Sequence, residues 1–148
     1  MRYLIDSNTF IDLLKPRNQN TDKITESLLL GDELVIFCLV EYEVKRGYYL
    51  AYYSKQSNEV QKTHEQIRIH QFDELIKQFE HISEIKPEII QEAASVYGQV
   101  KAKEKNFPDI DILILVIGKN HRCTIVSSDD HLKFLTKMYN VPFEKWTQ

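Results

Sequence analysis

Residues 3–10 read YLIDSNTF, an apolar run that ends on a carboxylate and passes at once to a hydroxyl and an amide. The run Arg2 to Ile5 is short and shows no alternation of apolar and polar positions, as expected of a strand covered on both faces. Beyond it the period changes. Phe10, Leu13 and Leu14 fall on one side of a helix over Thr9 to Leu14 that stops before Pro16. Asp6 therefore stands where a strand gives way to a helix. Two roles compete for it there: an N-cap for the helix, or a functional carboxylate at the carboxyl end of a parallel strand.

The same switch of period recurs along the chain. Strand signals appear at Leu34 to Leu39 (LVIFCL) and Thr124 to Ser127 (TIVS), with weaker ones at His81 to Ile85 and Val141 to Phe143. Helical stretches are expected over Thr21 to Leu30, which Gly31 can cap at its C-terminus, and over about Val40–Tyr53, Val60–Phe79 and Pro87–Lys103. Pro87 suits a first helical turn, and Ile89, Ile90, Ala93, Ala94, Val96, Tyr97 and Val100 form a broad apolar stripe behind it. A further helix runs from near Pro108 to about Asn120 and leads directly into TIVS. Strands alternating with helices imply an α/β domain with a mainly parallel central sheet, whose crevice lies outside the carboxyl ends of its strands.

Composition bounds the rest. The 148 residues, 43% of them apolar, suit a single domain spanning 1–148 with one core. With four glycines, four prolines and no repeat, neither a solenoid nor a disordered linker is expected. No apolar run approaches the roughly 20 residues that span a bilayer, and the first residues carry a charge within too short an apolar run for a signal peptide, so a cytoplasmic protein with no membrane contact is expected. Cys38 and Cys123 lie far apart without a CxxC pair, which fits thiols in a reducing compartment. The net charge of -3 gives no basic footprint for nucleic acid. Acids gathered round a cation would reverse the local sign, so their distribution matters more than their sum.

Four places supply those acids: Asp6 after the first strand, Glu43 after the second, Asp109 and Asp111 at the start of the late helix, and Asp129 and Asp130 after TIVS. Taken singly, Asp6, Asp109 and Asp129 read as helix caps. Taken together at one sheet edge they read as a metal site, because packed carboxylates repel and raise one another's pKa unless a cation holds them. Oxygen ligands select hard ions, and Mg²⁺ or Mn²⁺ on a few carboxylates is the common arrangement for phosphate chemistry.

These segments, DSNTFIDLL, EYEVKRG, DIDILILVIG and IVSSDDHL, resemble in order and spacing those of the PIN-domain ribonucleases, especially the VapC-type toxins of toxin–antitoxin pairs. The resemblance covers nearly the whole chain. It implies a PIN-like three-layer α/β/α sandwich and metal-dependent hydrolysis of RNA phosphodiester bonds. The catalytic, metal-binding acids it implies are Asp6, Glu43, Asp111 and Asp129. Ser7 and Asn8 complete the first motif, Asp109 is a further candidate ligand, and Asp130 is a neighbour outside the ligand set. Glu43 is preferred to Glu41 because Gly47 lies four residues beyond it. The small residues usual after the third acid are replaced here by Leu115, Val116 and Ile117, which leaves the packing of that helix open. The resemblance also implies Mg²⁺ or Mn²⁺ as cofactor, an RNA substrate, a cognate antitoxin and a homodimer.

Around these acids, Lys45 and Arg46 are candidate contacts to the RNA backbone, with Lys101, Lys103 and Lys105 weaker ones. Tyr48 with Tyr52, and Tyr49 with Tyr53, pair at helical spacing and suit a partner interface or core packing. His131 is read as a surface or packing residue near the site. Two other functions stay open. A PIN-like module that only binds a partner would need no catalysis. A HAD-type phosphatase is suggested by DIDIL but requires a strand immediately before it.

Overall fold

The computed structural model describes residues 1–15 and 20–146; the stop expected at Pro16 lies outside the described residues. The chain runs β1 (Arg2–Ile5), α1 (Ser7–Leu13), α2 (Asn20–Leu29), β2 (Glu33–Phe37), α3 (Cys38–Tyr52), α4 (Glu59–Ile76), β3 (Glu80–Ile82), α5 (Pro87–Ala102), α6 (Asp109–Asn120), β4 (Thr124–Val126), α7 (Asp130–Met138) and β5 (Phe143–Glu144). The five strands form one sheet in the order β3-β2-β1-β4-β5, and every neighbouring pair is parallel. Leu4 sits between Val35 and Ile125 in register. All three are fully buried, which accounts for strands without apolar-polar alternation.

Helix contacts divide the layers. α1 packs on α2 and α3, and α3 on α4, whereas α6 packs on α5 and α7. Right-handed crossovers put the first group on one face of the sheet, since β1, β2 and β3 step one way, and the second group on the other, since the chain then returns to β4 and steps to β5. The result is the expected α/β/α sandwich. It also defines a switch point: connections leave β1 and β4 in opposite directions, opening a crevice at their carboxyl ends.

Several element boundaries differ from the sequence reading. β2 ends at Phe37, and the Cys38 and Leu39 that prolong its apolar run already belong to α3. The first turn of that helix is covered too, with Val40 fully buried, so apolar character continues across the junction. β3 lies at Glu80–Ile82 and β5 at Phe143–Glu144, each displaced from the weaker expected runs. Val141 is buried without being a strand residue, and the ladder beside β4 is set by the Pro142 carbonyl accepting from the Ile125 N–H at 2.9 Å. Gly31 takes φ +77 after α2, the left-handed turn expected of a glycine cap.

α6 is the central helix of its layer. Ile112, Ile114, Leu115, Val116, Ile117 and Gly118 are all buried in it. Leu115, Val116 and Ile117 are accommodated as core. The close approach to the sheet is made one residue later, at Gly118, where an added Cβ would stand 2.8 Å from the Ile125 side chain. Among the described residues, no helix is long and apolar enough to cross a membrane. Cys38 and Cys123 are both free thiols.

Candidate active site

Asp6 leaves β1 with its backbone N–H donating to the Val126 carbonyl at 2.9 Å, one step beyond the regular ladder with β4. Its backbone is extended and occupies the N-cap position of α1, yet its side chain makes no cap hydrogen bond. The carboxylate turns across to the neighbouring strand end instead. Ser127 Oγ donates to Asp6 Oδ2 at 2.7 Å, and Ser7 Oγ approaches Oδ1 at 3.4 Å. Asp6 is only 3% exposed. Burial pushes its carboxyl above the usual range, with the Ser127 hydroxyl and the Ser7 N–H opposing and Asp129 adding repulsion.

Asp129 combines both roles considered for such acids. Its Oδ1 accepts from the His131 N–H at 2.6 Å and caps α7, while its own N–H donates to Ser127 Oγ at 2.9 Å. Ser127 thus fastens the ends of β1 and β4 together. Asp111 enters from the first turn of α6, with its side chain 14% exposed. Its carboxyl is pushed up to about 7, first by burial, then by Asp129 and Asp6 and more weakly by Glu43, with His131 acting in the opposite sense. Asp111 Oδ2 is buried and, among the described residues, has no hydrogen-bond partner. A buried oxygen left so is costly unless something absent from the protein itself satisfies it.

Glu43 comes from α3. Burial raises its carboxyl; Ser7 lowers it, Asp6 raises it again, and Arg46, 4.0 Å away, lowers it. Ser7 therefore stands between the first and second acids. Glu41 belongs elsewhere: it pairs with Lys45 at 2.8 Å and approaches His81 at 3.8 Å, and Lys45 also bonds Asp73 at 2.8 Å. Of the two candidate cations after Glu43, Lys45 is thus held in a network joining α3 to α4. Arg46 is the one beside the acids, its guanidinium 5.4 Å from the centre of the Tyr42 ring.

The structure brings Asp6, Glu43, Asp111 and Asp129 to one crevice and leaves Asp109 out of it. Two positions along a helix are about 200° apart. Asp109 is accordingly exposed and lines a different groove, between α5 and α6, with Ile90, Tyr97 and Leu113. Nor does it cap the helix, for Pro108 holds the N-cap position. Asp130 is exposed on the first turn of α7. DIDIL lies within α6 and follows no strand, so the strand-to-loop setting of a phosphatase nucleophile is missing.

His131, read from the sequence as a surface or packing residue near the site, stands directly beside two of the acids. Its Nδ1 lies 3.7 Å from both Asp111 Oδ2 and Asp129 Oδ1, and the three groups can present ligand atoms within 4.8 Å of one another. Phe107 meets its ring edge-on at 5.7 Å between centroids. The position two residues after a strand-end Asp that caps its own helix was the available signal. An i,i+2 step through a cap folds the side chain back beside the acid, which helical periodicity does not reveal.

Comparison with known proteins bears on the fold and the family. A family model described as PIN domain matches residues 3–137. Among solved structures, VapBC2 from Rickettsia felis bound to a DNA fragment from their promoter is similar with a TM-score of 0.76 and 18% identity, covering 99% of each chain. VapBC-1 from nontypeable Haemophilus influenzae gives 0.74 and 16%, covering 100% of each. FitAcB from Neisseria gonorrhoeae gives 0.67 and 20%, covering 95% of each. No curated protein matches the sequence. At these identities the structures speak for the fold, and the match over nearly the whole length speaks for the family: this chain belongs to the PIN domain family.

Proposed function

We propose that this protein is a metal-dependent endoribonuclease acting in the cytoplasm as the toxin of a toxin–antitoxin pair. The observation that carries the reading is Asp111 Oδ2, a buried oxygen with no hydrogen-bond partner among the described residues, at the crevice where the other acids converge. The donor set suits a hard divalent ion such as Mg²⁺ or Mn²⁺. Asp6, Glu43, Asp111 and Asp129 are the residues that would hold it. Bound there, such an ion supplies Lewis-acid activation of water and neutralises charge on a scissile phosphate.

The remaining contributions belong to the chain itself. Ser127 fixes the rotamer of Asp6 and, through the Asp129 N–H, the spacing between two strand ends. Ser7 offers its hydroxyl to Asp6 and Glu43 and so offsets part of the rise in both carboxyls. Arg46, its side chain 58% exposed at the crevice rim, is placed to meet a phosphate of the RNA backbone and supplies the salt-dependent part of binding.

Partner binding falls to the outer face of α3. Cys38, Tyr42, Arg46, Tyr49 and Leu50 line a groove there, and Tyr49 stacks on Tyr53 with ring centroids 6.3 Å apart. Tyr42, Leu50 and Tyr53 are exposed around it. Such an aromatic surface suits an antitoxin segment, and one structurally similar protein, from Klebsiella pneumoniae, is described as a toxin–antitoxin complex. On this reading the protein also acts as a homodimer, which the family resemblance alone supports. The direct test is cleavage of defined RNAs by the purified chain with Mg²⁺, with Mn²⁺ and with chelator. Cleavage that needs the ion supports the reading; cleavage indifferent to chelation, or none on any RNA, rejects it in favour of a partner-binding module.

A further inference from the structure

We infer that His131 is itself a ligand, through Nδ1, to the divalent ion held by Asp111 and Asp129, so that the site prefers Mn²⁺ to Mg²⁺. This rests on the metal-site reading above and adds to it a nitrogen donor. His131 Nδ1 stands 3.7 Å from Asp111 Oδ2 and 3.7 Å from Asp129 Oδ1. A ligand atom from each of the three can lie within 4.8 Å of the other two, a span that one ion can bridge. The Asp111 oxygen nearest the imidazole is the one with no hydrogen-bond partner.

The ring is placed by its surroundings. Its backbone N–H is fixed on Asp129 Oδ1 at 2.6 Å, so residue 131 cannot swing away without breaking the α7 cap. Phe107 flanks the ring edge-on at 5.7 Å and itself stacks on Phe134 at 5.8 Å, which restricts rotation of the imidazole away from the acids. The side chain is still 55% exposed, so its ligation is not a requirement of folding. Imidazole is a softer donor than carboxylate. Mg²⁺ keeps to oxygen ligands and holds its water tightly, whereas first-row transition ions accept nitrogen. Exchanging one oxygen or water for Nδ1 therefore raises affinity for Mn²⁺ more than for Mg²⁺.

The test uses the full chain and the metals alone, without RNA. Mn²⁺ and Mg²⁺ affinities are measured by calorimetry for the wild type, His131→Ala and His131→Gln, and pulsed EPR on the Mn²⁺-loaded proteins reads nitrogen coupling. The wild type should show ¹⁴N modulation from a bound imidazole, which His131→Ala abolishes. Its Mn²⁺ affinity should fall about tenfold or more in both variants, while Mg²⁺ affinity changes less than about threefold. Stoichiometric Mn²⁺ binding without ¹⁴N modulation, or modulation unchanged in His131→Ala, overturns the inference and leaves the carboxylate site standing. Failure of the wild type to bind Mn²⁺ or Mg²⁺ at all overturns both.

Discussion

Ser127 Oγ lies 2.7 Å from Asp6 Oδ2, a side-chain bond between the ends of two adjacent parallel strands that are far apart in sequence. Ser127 is fully buried and also accepts the Asp129 N–H. Removing the hydroxyl leaves a buried carboxylate oxygen and a buried-side donor unmet at once. Ser127→Ala should therefore lower stability by roughly 1–3 kcal/mol in urea denaturation and should reduce RNA cleavage, because Asp6 and Asp129 lose their common tether. A variant with unchanged stability and rate would show that the two acids are positioned without it.

Glu43 and Glu41 provide a contrast within one helix. Glu43 faces Ser7 and Asp6, whereas Glu41 is tied to Lys45 on another side. Glu43→Gln should cut cleavage by about a hundredfold or more, the scale of losing one charge-stabilising group in a preorganised site. Glu41→Gln should leave the rate near that of the wild type and cost at most about 1 kcal/mol, as half-exposed ion pairs do. Parallel rate and melting measurements on the two variants decide it, and equal losses of activity would withdraw Glu43 from the site.

Much of this arrangement was legible in the sequence because it depends on local signals. An apolar run ending on Asp marks a strand end, and several such ends in a parallel sheet must share one edge. The choice of Glu43 over Glu41 was different in kind: helical geometry says only that the two cannot face one ion, and it was the resemblance to the family pattern, an acid four residues before Gly47, that implied Glu43. Boundaries were less legible where burial crosses an element junction: Cys38 and Leu39 are as apolar as the strand before them, yet they begin a helix. Asp109 misled because two acids in one first turn look equivalent in sequence, and only the packing of α5 against α6 shows which one faces solvent. For Asp6 the sequence left two roles in competition, and the structure separates them: the residue holds the cap position while its side chain caps nothing. His131 was legible as a neighbour of the site through Asp129, but its approach to Asp111 was not, because that is a long-range contact between α6 and α7.

Gly118 tests the packing of the central helix. A Cβ there would lie 2.8 Å from both Ile125 Cδ1 and Cγ1 and 3.6 Å from Leu4 Cδ2. Ile125 and Leu4 are fully buried in the sheet, so neither side chain has free space to move into. Helix propensity alone favours Ala over Gly by up to about 1 kcal/mol. Overpacking should outweigh it, and Gly118→Ala is expected to destabilise by roughly 1–3 kcal/mol. A more stable variant in chemical denaturation would mean that α6 can move off the sheet at little cost.

The raised carboxyls make the ion-free protein sensitive to pH in a defined direction. Asp111 titrates near 7 in the folded chain against 3.8 ordinarily, and Asp6 and Glu43 are raised too. Between about pH 4 and 7 the folded state therefore holds protons that the unfolded chain has released. Stability falls as pH rises through that window and levels off above it. The Asp111 share is on the order of 4 kcal/mol at its ceiling, at about 1.4 kcal/mol per pKa unit. Urea denaturation of chelator-treated protein should show this descent from pH 4.5 to 7.5. Asp111→Asn should flatten it and be the more stable protein at pH 7.5, since the amide has no charge to bury. Adding Mn²⁺ at pH 7.5 should stabilise the wild type and do far less for Asp111→Asn, because an ion that binds only the folded state contributes stability in proportion to its affinity. A descent of equal slope in the two proteins would remove Asp111 as the strained acid of the crevice.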